Sequence, residues 1–251
     1  MKLANGANLA QVADAASLLL EPWSGPYGGV PPFDRVEVAH FAPALEAAMQ
    51  RQLAEIEAIA ADPAAPTFEN TVAALERSGR AFSRVYSLYN VFSSTMKSEA
   101  FQAVEREMAP KLAAFRDRIV QNGKLFARLA AVHGQSQSAP LTAEQKRLAW
   151  LKHTDFVRSG AALQGAARER LTQLNQRLAS LFTRFNQNVL ADEAKYMLLI
   201  ERAEDLDGLP DSVVAGAAAA AEERGHRGRW AILNTRSSVE PFLAQSTRRE
   251  L

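Results

Sequence analysis

Residues 165 to 193, GAARERLTQLNQRLASLFTRFNQNVLADE, carry Ala167, Leu171, Leu174, Leu178, Leu181, Phe185 and Val189 at steps of four and three. That period marks an apolar stripe along one face of a helix. With 1.5 Å of rise per residue the helix is about 43 Å long, more than a small domain is wide. A helix of that length cannot cover its own stripe, so the pattern predicts neighbouring helices of similar length packed against it. The expected architecture is an extended antiparallel helical bundle, mainly all-α.

The preceding chain supplies the neighbours. Residues 1 to about 20 show weak periodicity and read as a frayed lead. GPYGGVPPFDRV, Gly25 to Val36, holds three glycines and three prolines, which forbid a regular element. Tyr27, Val30 and Phe33 are its expected apolar anchors, and the segment reads as a structural strap. A first helix is expected from Val38 to Ala60, with Phe41, Leu45, Met49, Leu53, Ile56 and Ile59 on one side; Asp62, Pro63 and Pro66 end it. Thr67 is a good N-cap for a second, whose seam reads Phe68, Val72, Leu75, Gly79, Phe82, Tyr86 and Tyr89 and continues to Met96. The short connection makes these two antiparallel neighbours. A third helical region spans Glu99 to Val132, with a kink at Pro110 and a break at Asn122-Gly123. Thr142 and Gln145 form a capping-box pattern for a fourth helix, which Ser159-Gly160 stops before the long one. Four helices in this order predict an up-and-down bundle.

After Glu193 the pattern changes. Lys195 to Glu201 and Trp230 to Leu233 are short apolar runs with strand character, and between them Ser212 to Gly225 is an alanine-rich helix with Gly225 as its stop. Strand, helix, strand predicts a small α/β element near the C-terminus. VEPFLAQSTRREL then begins another helix, with Pro241 in its first turn and Phe242 inward, and reaches Leu251 without a cap. The expectation is a cut helix whose apolar side, Val239 to Leu251, awaits a partner. The domain reading is 1–37 lead and strap, 38–194 long-helix bundle, and 195–251 α/β element leading towards an absent catalytic domain.

Composition narrows the function. The 251 residues are 47% hydrophobic, enough for a sizeable core. Lys plus Arg, 29, against Asp plus Glu, 28, leaves +1, so no overall field draws in nucleic acid. No cysteine is present, which excludes disulfides, thiolate zinc clusters and cysteine nucleophiles. No apolar run approaches the roughly 20 residues of a membrane span. The N-terminus has no continuous apolar core of a signal peptide. The expected location is cytoplasmic, with no membrane partner.

Few residues fall in a pattern that carries chemistry. His40, His133, His153 and His226 lack any close metal-ligand spacing, and no His-Glu-x-x-His occurs. Glu222 and His226 stand four apart, a spacing that usually gives a surface contact. Asp205-Leu206-Asp207-Gly208 opens like a calcium loop, but Pro210 and the missing later ligands assign it to a turn. There is no phosphate-binding glycine loop and no Gly-x-Ser-x-Gly elbow. Phe82, Tyr86 and Tyr89 lie at helical spacing and read as core rather than as a ligand platform. No catalytic, cofactor-binding or metal residue is therefore assigned, and by residue chemistry alone the chain is not a self-sufficient enzyme.

The ordered blocks add a different kind of information. GPYGGVPPFDRV, FAPALEAAMQRQLAEIEAIAADPAAPTFENTVAALERSGRAFSRV, NGKLFARL, DFVRSGAAL, LASLFTRFNQNVLADE and RWAILNTRSSVEPFLAQSTRREL follow one another from about Leu18 to Leu251. In that order they resemble the N-terminal portion of the thimet-oligopeptidase family of zinc metallopeptidases, in particular its bacterial peptidyl-dipeptidase branch. The resemblance implies a hydrolase of short peptides that removes C-terminal dipeptides, built of helices whose two halves enclose a deep channel. It implies a zinc held by a His-Glu-x-x-His helix and a further glutamate, with the motif glutamate as general base. None of those residues can be placed on this sequence, so the chain is expected to bind no zinc itself and to be inactive alone. Its expected role is the wall and lid of the channel, selecting peptides by size, with the missing catalytic half and short peptides as partners. The contrary reading is a freestanding, non-catalytic helical interaction module.

Overall fold

The computed structural model describes residues 17–26, 29–96 and 98–251. The predicted lead over residues 1–16 and the anchor Tyr27 lie outside the described residues. Among the described residues the fold is mainly α-helical with one two-stranded antiparallel sheet. The described residues form two compact units, one up to Thr183 and one from Arg184.

In the first unit, helix α1 (Phe41–Ala61) follows a 3-10 turn at Val38–His40. Its start packs Phe41 against Tyr89, Phe92 and Phe101, with ring centroids 4.8–6.2 Å apart. Thr67 caps the next segment as its sequence predicts, with Asn70 completing the reciprocal bonds. That segment is a π-helical run, Phe68–Ala73, leading into the single turn α2 (Ala74–Arg77).

The expected continuous helix to Met96 does not form. Gly79 takes φ +72, a left-handed conformation only glycine adopts without strain, and α3 (Arg80–Thr95) starts afresh there. The break is held from outside, since the Gly79 N–H donates to Glu55 Oε2 at 2.6 Å. A Cβ at this position would also collide with the Gln52 side chain. Restarting the helix moves the seam: Val85, Leu88, Tyr89 and Phe92 are buried, whereas Phe82 is half-buried and Tyr86 is exposed.

Helix α4 (Glu99–Val120) runs through Pro110 and gives way at Gln121–Asn122 to α5 (Gly123–Gln135). Contacts fix the directions. Phe41 meets the end of α3 and Glu55 meets its beginning, so α1 and α3 are antiparallel. Glu46 pairs with Lys111 and Glu57 with Asn122, so α4 runs parallel to α1. Helix α6 (Ala143–Arg158), capped by Thr142 and Gln145 as expected, returns along α5 and is stopped at Ser159 and Gly160.

Two cores result. The first joins the start of α1 with α3 and α4 around Phe41, Leu45, Leu88, Phe101 and Met108. The second joins the end of α1 with Val72, α5 and α6 around Ile56, Leu125, Leu129 and Phe156. The arrangement is therefore a three-helix bundle of α1, α3 and α4 with an α5–α6 hairpin at its far end rather than one four-helix bundle. The physical cause is the break at Asn122, whose side chain caps α5 by accepting from Leu125 N at 3.0 Å.

The strap differs in its anchors. Val30 and Phe33 are 48% and 49% exposed, and Trp23 and Val36 pack against the first core instead. Residues 17–20 are helical, with Leu19 and Leu20 buried and the Leu20 carbonyl accepting from Arg84 Nη2 at 2.8 Å, so this end of the lead belongs to the core.

The organising helix α7 (Gly165–Lys195) is present at the expected length, but none of its residues is buried. Leu178, Phe182 and Phe185 are 48%, 63% and 64% exposed. Of the predicted stripe, Leu171 is half-buried beside Gly160, whereas Leu174 and the apolar residues after it are exposed.

In the second unit, β1 (Met197–Ile200) pairs antiparallel with β2 (Trp230–Leu233), Met197 opposite Leu233 and Ile200 opposite Trp230. Between them runs α8 (Asp211–Glu223), and Ile200, Ala217, Ile232 and Phe242 form the core. The expected α/β element is thus present. The last helix, α9 (Arg236–Gln245), starts earlier than predicted, places Pro241 at its sixth residue, and does not run to the end. Thr247 turns the chain back by donating to Asp207, N to O at 3.1 Å and Oγ1 to Oδ2 at 2.6 Å. Phe242 is buried and Leu243 and Leu251 are exposed, so the predicted open apolar side from Val239 shrinks to two residues.

Candidate functional site

The concave surface with the clearest mix of apolar floor and free polar groups lies between α1 and α4. One recess, of about 530 Å³, is lined by Glu46, Met49, Leu53, Lys111, Phe115 and Arg118, among others. A second continues from it past Gln50, Leu53 and Arg118 to Asn122. The groove arises because α3 packs on the other side of these two parallel helices, leaving Met49 and Phe115 as a buried floor. Its ends are tied by polar pairs. Lys111 Nζ lies 2.5 Å from Glu46 and 2.7 Å from Glu107, and Asn122 Nδ2 lies 3.3 Å from Glu57. Bonds to Glu107 and Glu46 hold the Lys111 ammonium above its usual range. Between these ties, Gln50 and Arg118 are exposed without a hydrogen-bond partner among the described residues. A guanidinium above an apolar floor can hold a carboxylate and a flanking side chain, which is binding chemistry without a nucleophile. Residue-by-residue reading missed this groove, although Lys111, Phe115 and Arg118 share a helical face and gave a usable signal.

The sequence candidates are scattered or satisfied. Asp205 is buried under Arg202, whose Nε and Nη2 each lie 3.0 Å from its carboxylate, with Arg248 at 3.3 Å. The calcium-like run is therefore a turn neutralised by arginine, as assigned. Glu222 faces Arg227 at 3.7 Å, and no Glu222–His226 contact forms. His40 Nδ1 accepts from Glu37 N at 3.1 Å. Tyr89 is core, and burial followed by the charge of Glu105 raises its phenol far above the ordinary value.

His133 and His153, twenty residues apart, do meet: their rings stack at 4.4 Å with planes 1° apart, between α5 and α6. Phe126 covers the other face of His153 at 5.6 Å. Ring lone pairs lie in the ring planes, so two parallel rings cannot aim at one ion about 2 Å from each. No group of three or more His, Asp or Glu among the described residues could hold a metal. The stack acts on stability instead. Burial first, and His133 second, lower the His153 pKa below its ordinary value. A base whose folded pKa is depressed contributes stability that is complete above the unfolded pKa and lost as pH falls through the folded one. Thermal unfolding between about pH 7.5 and about pH 5 should show a falling Tm. His133→Gln should flatten that fall, and an unchanged slope would remove the stack as its cause.

Helix α7 joins the first unit by polar contacts. Asn175 Nδ2 donates to Asp117 Oδ1 at 2.7 Å, Gln121 Nε2 donates to Thr172 Oγ1 at 3.0 Å, and Arg168 Nε donates to Gln121 Oε1 at 3.1 Å. Arg168, Thr172, Asn175 and Ala179 form the inward face, and the apolar stripe is centred about 100° around the helix from it.

The family model of the neurolysin/thimet oligopeptidase N-terminal domain matches residues 43–168. The chain is 35% identical over 215 residues, 86% of its length, to the dipeptidyl carboxypeptidase of Escherichia coli, covering 32% of that protein. It is 37% identical over 85% of its length to the dipeptidyl carboxypeptidase of Salmonella typhimurium, again 32% of that protein. It is 30% identical over 80% of its length to oligopeptidase A of Haemophilus influenzae, 29% of that protein. The chain thus spans about a third of the length of these relatives. No described helix is long and apolar enough to cross a membrane.

Proposed function

We propose, because the chain belongs to the neurolysin/thimet oligopeptidase N-terminal domain family, that it is the substrate-channel-forming part of a longer cytoplasmic zinc metallopeptidase that hydrolyses short peptides and releases C-terminal dipeptides. The observation that carries the reading is identity spread over most of this chain to proteins that are peptidases by name. The described residues offer no donor set for a metal, so the zinc of this proposal is held by other residues of the longer protein. No chemical step is assigned to this chain.

What these residues supply is a rigid wall. Long helices with two packed cores admit an extended peptide beside them and exclude a folded protein. The groove between α1 and α4, with Arg118 above Met49 and Phe115, is suited to hold a peptide's carboxylate and one apolar side chain.

The test is hydrolysis of short peptides by the purified chain, by the remaining two thirds of a relative, and by their mixture, each with and without chelator. The expected result is no hydrolysis by the chain alone and chelator-sensitive release of C-terminal dipeptides by the mixture. Metal-dependent hydrolysis by the 251 residues alone would contradict the proposal. An inactive mixture with a stable chain would favour the freestanding interaction module, to which the uncovered stripe of α7 also lends itself.

A further inference from the structure

An amphipathic helix on a soluble protein normally turns its apolar stripe inward. Helix α7 does the reverse in the first unit, holding on by Arg168, Thr172 and Asn175 while Leu174, Leu178, Leu181 and Phe182 are exposed. At 100° per residue these four side chains fall within an arc of about 100°, a continuous seam rather than scattered exposure. Beyond Thr183 the same helix goes on with Phe185 and Val189, exposed as well.

One border of the seam is charged. Arg170 and Arg177, seven residues apart, lie about 20–40° beyond its edge, both exposed and without an ion pair among the described residues. Residues at such border positions select the partner of a helical seam by charge. A second copy of this stretch is a poor match. In an antiparallel pair the arginine border meets itself, and in a parallel pair it meets the border carrying Arg168, Asn175 and Ala179. Between residues 168 and 182 neither presents a carboxylate.

We infer that the outer face of α7, Leu174, Leu178, Leu181 and Phe182 bordered by Arg170 and Arg177, is the seat of the remaining part of the longer protein, which meets it with apolar side chains bordered by carboxylates. The inference rests on the proposed function insofar as it takes the chain to be about a third of a longer peptidase, the share it spans of its relatives.

The experiment measures association of the purified chain with the separately produced remaining two thirds of a relative, by sedimentation. In parallel, two synthetic helices with the same leucine seam, one bordered by glutamates and one by lysines, are titrated into the chain by calorimetry. Arg170→Glu/Arg177→Glu and Leu178→Gln/Phe182→Gln should each weaken association with the remaining part at least tenfold without changing the unfolding midpoint of the chain. The wild-type chain should prefer the glutamate-bordered helix at least tenfold, and the double arginine variant should reverse that order.

Failure of the wild-type chain to bind the remaining part while also showing no preference between the helices would overturn the inference. So would undiminished association by both variants, or a wild-type dimer closed through this seam. Peptidase activity of a mixture whose association ignores the variants would keep the proposed function and reject this surface. Association through the seam in an inactive mixture would do the opposite.

Discussion

Phe41→Ala should destabilise the first unit by about 3–5 kcal/mol, the range for removing a fully buried aromatic side chain and leaving a cavity. Phe41 is inaccessible to solvent and lies where three helices meet. Its ring sits 4.8 Å from Phe92, 5.3 Å from Phe101 and 6.2 Å from Tyr89, so α1, α3 and α4 all lose a contact at once. These neighbours belong to separate helices tied elsewhere by Arg84 to Leu20 and Ser93 to Glu105, which limits how far they can close over the gap. Chemical denaturation followed by helix signal is the check. A loss below about 1 kcal/mol would mean that the aromatic cluster is not the centre of this core.

Arg128→Met should cost about 2–4 kcal/mol, because it leaves buried acceptors without their donor while keeping most of the apolar stem. The guanidinium of Arg128 is buried on α5, and its Nη1 donates to the Asp62 carbonyl at 2.7 Å and the Ala64 carbonyl at 3.0 Å. Nη2 reaches Asp62 Oδ2 at 3.3 Å. One side chain thus satisfies the chain end of α1 and pins the turn before the π-helical run to α5. Exposed pairs such as Lys111 with Glu46 should contribute no more than about 1 kcal/mol each, so Lys111→Met serves as the contrast. Equal losses in the two variants, read by the same denaturation curve, would contradict the assignment of Arg128 as the pin.

The elements legible in the sequence are those decided within a few residues. The Thr67 and Thr142 caps, the stops at Ser159-Gly160 and Asp62, and the strand, helix, strand order of the second unit all follow from local chemistry. Gly79 was legible only as a seam residue, and a seam pattern cannot reveal a helix break there. The deciding contact is Glu55, twenty-four residues away. The same limit hides the end of α9, which is set by Asp207 forty residues earlier, and the His133–His153 stack, which exists only once α5 and α6 pair.

Helix α7 teaches the sharpest form of this. The period of its apolar residues gave the helix and its length correctly. A period states that a stripe exists and carries no information on what covers it. The assumption that the chain's own helices do so failed because Arg168, Thr172 and Asn175, a polar row at the same helical spacing as the apolar one, had specific partners in Gln121 and Asp117. For the candidate groove, Arg118 lay on a readable face of α4, but its pairing with Gln50 and Leu53 of α1 required the parallel arrangement of two helices separated by another.

The native size of the protein in its source cells tests most directly whether this chain works as one part of a longer peptidase. An antibody raised against the chain should detect a band roughly threefold larger than 27.4 kDa, in line with the 32% share it spans of its relatives, and the captured material should hydrolyse short peptides until chelator is added. A single band at 27.4 kDa without such activity would contradict the account.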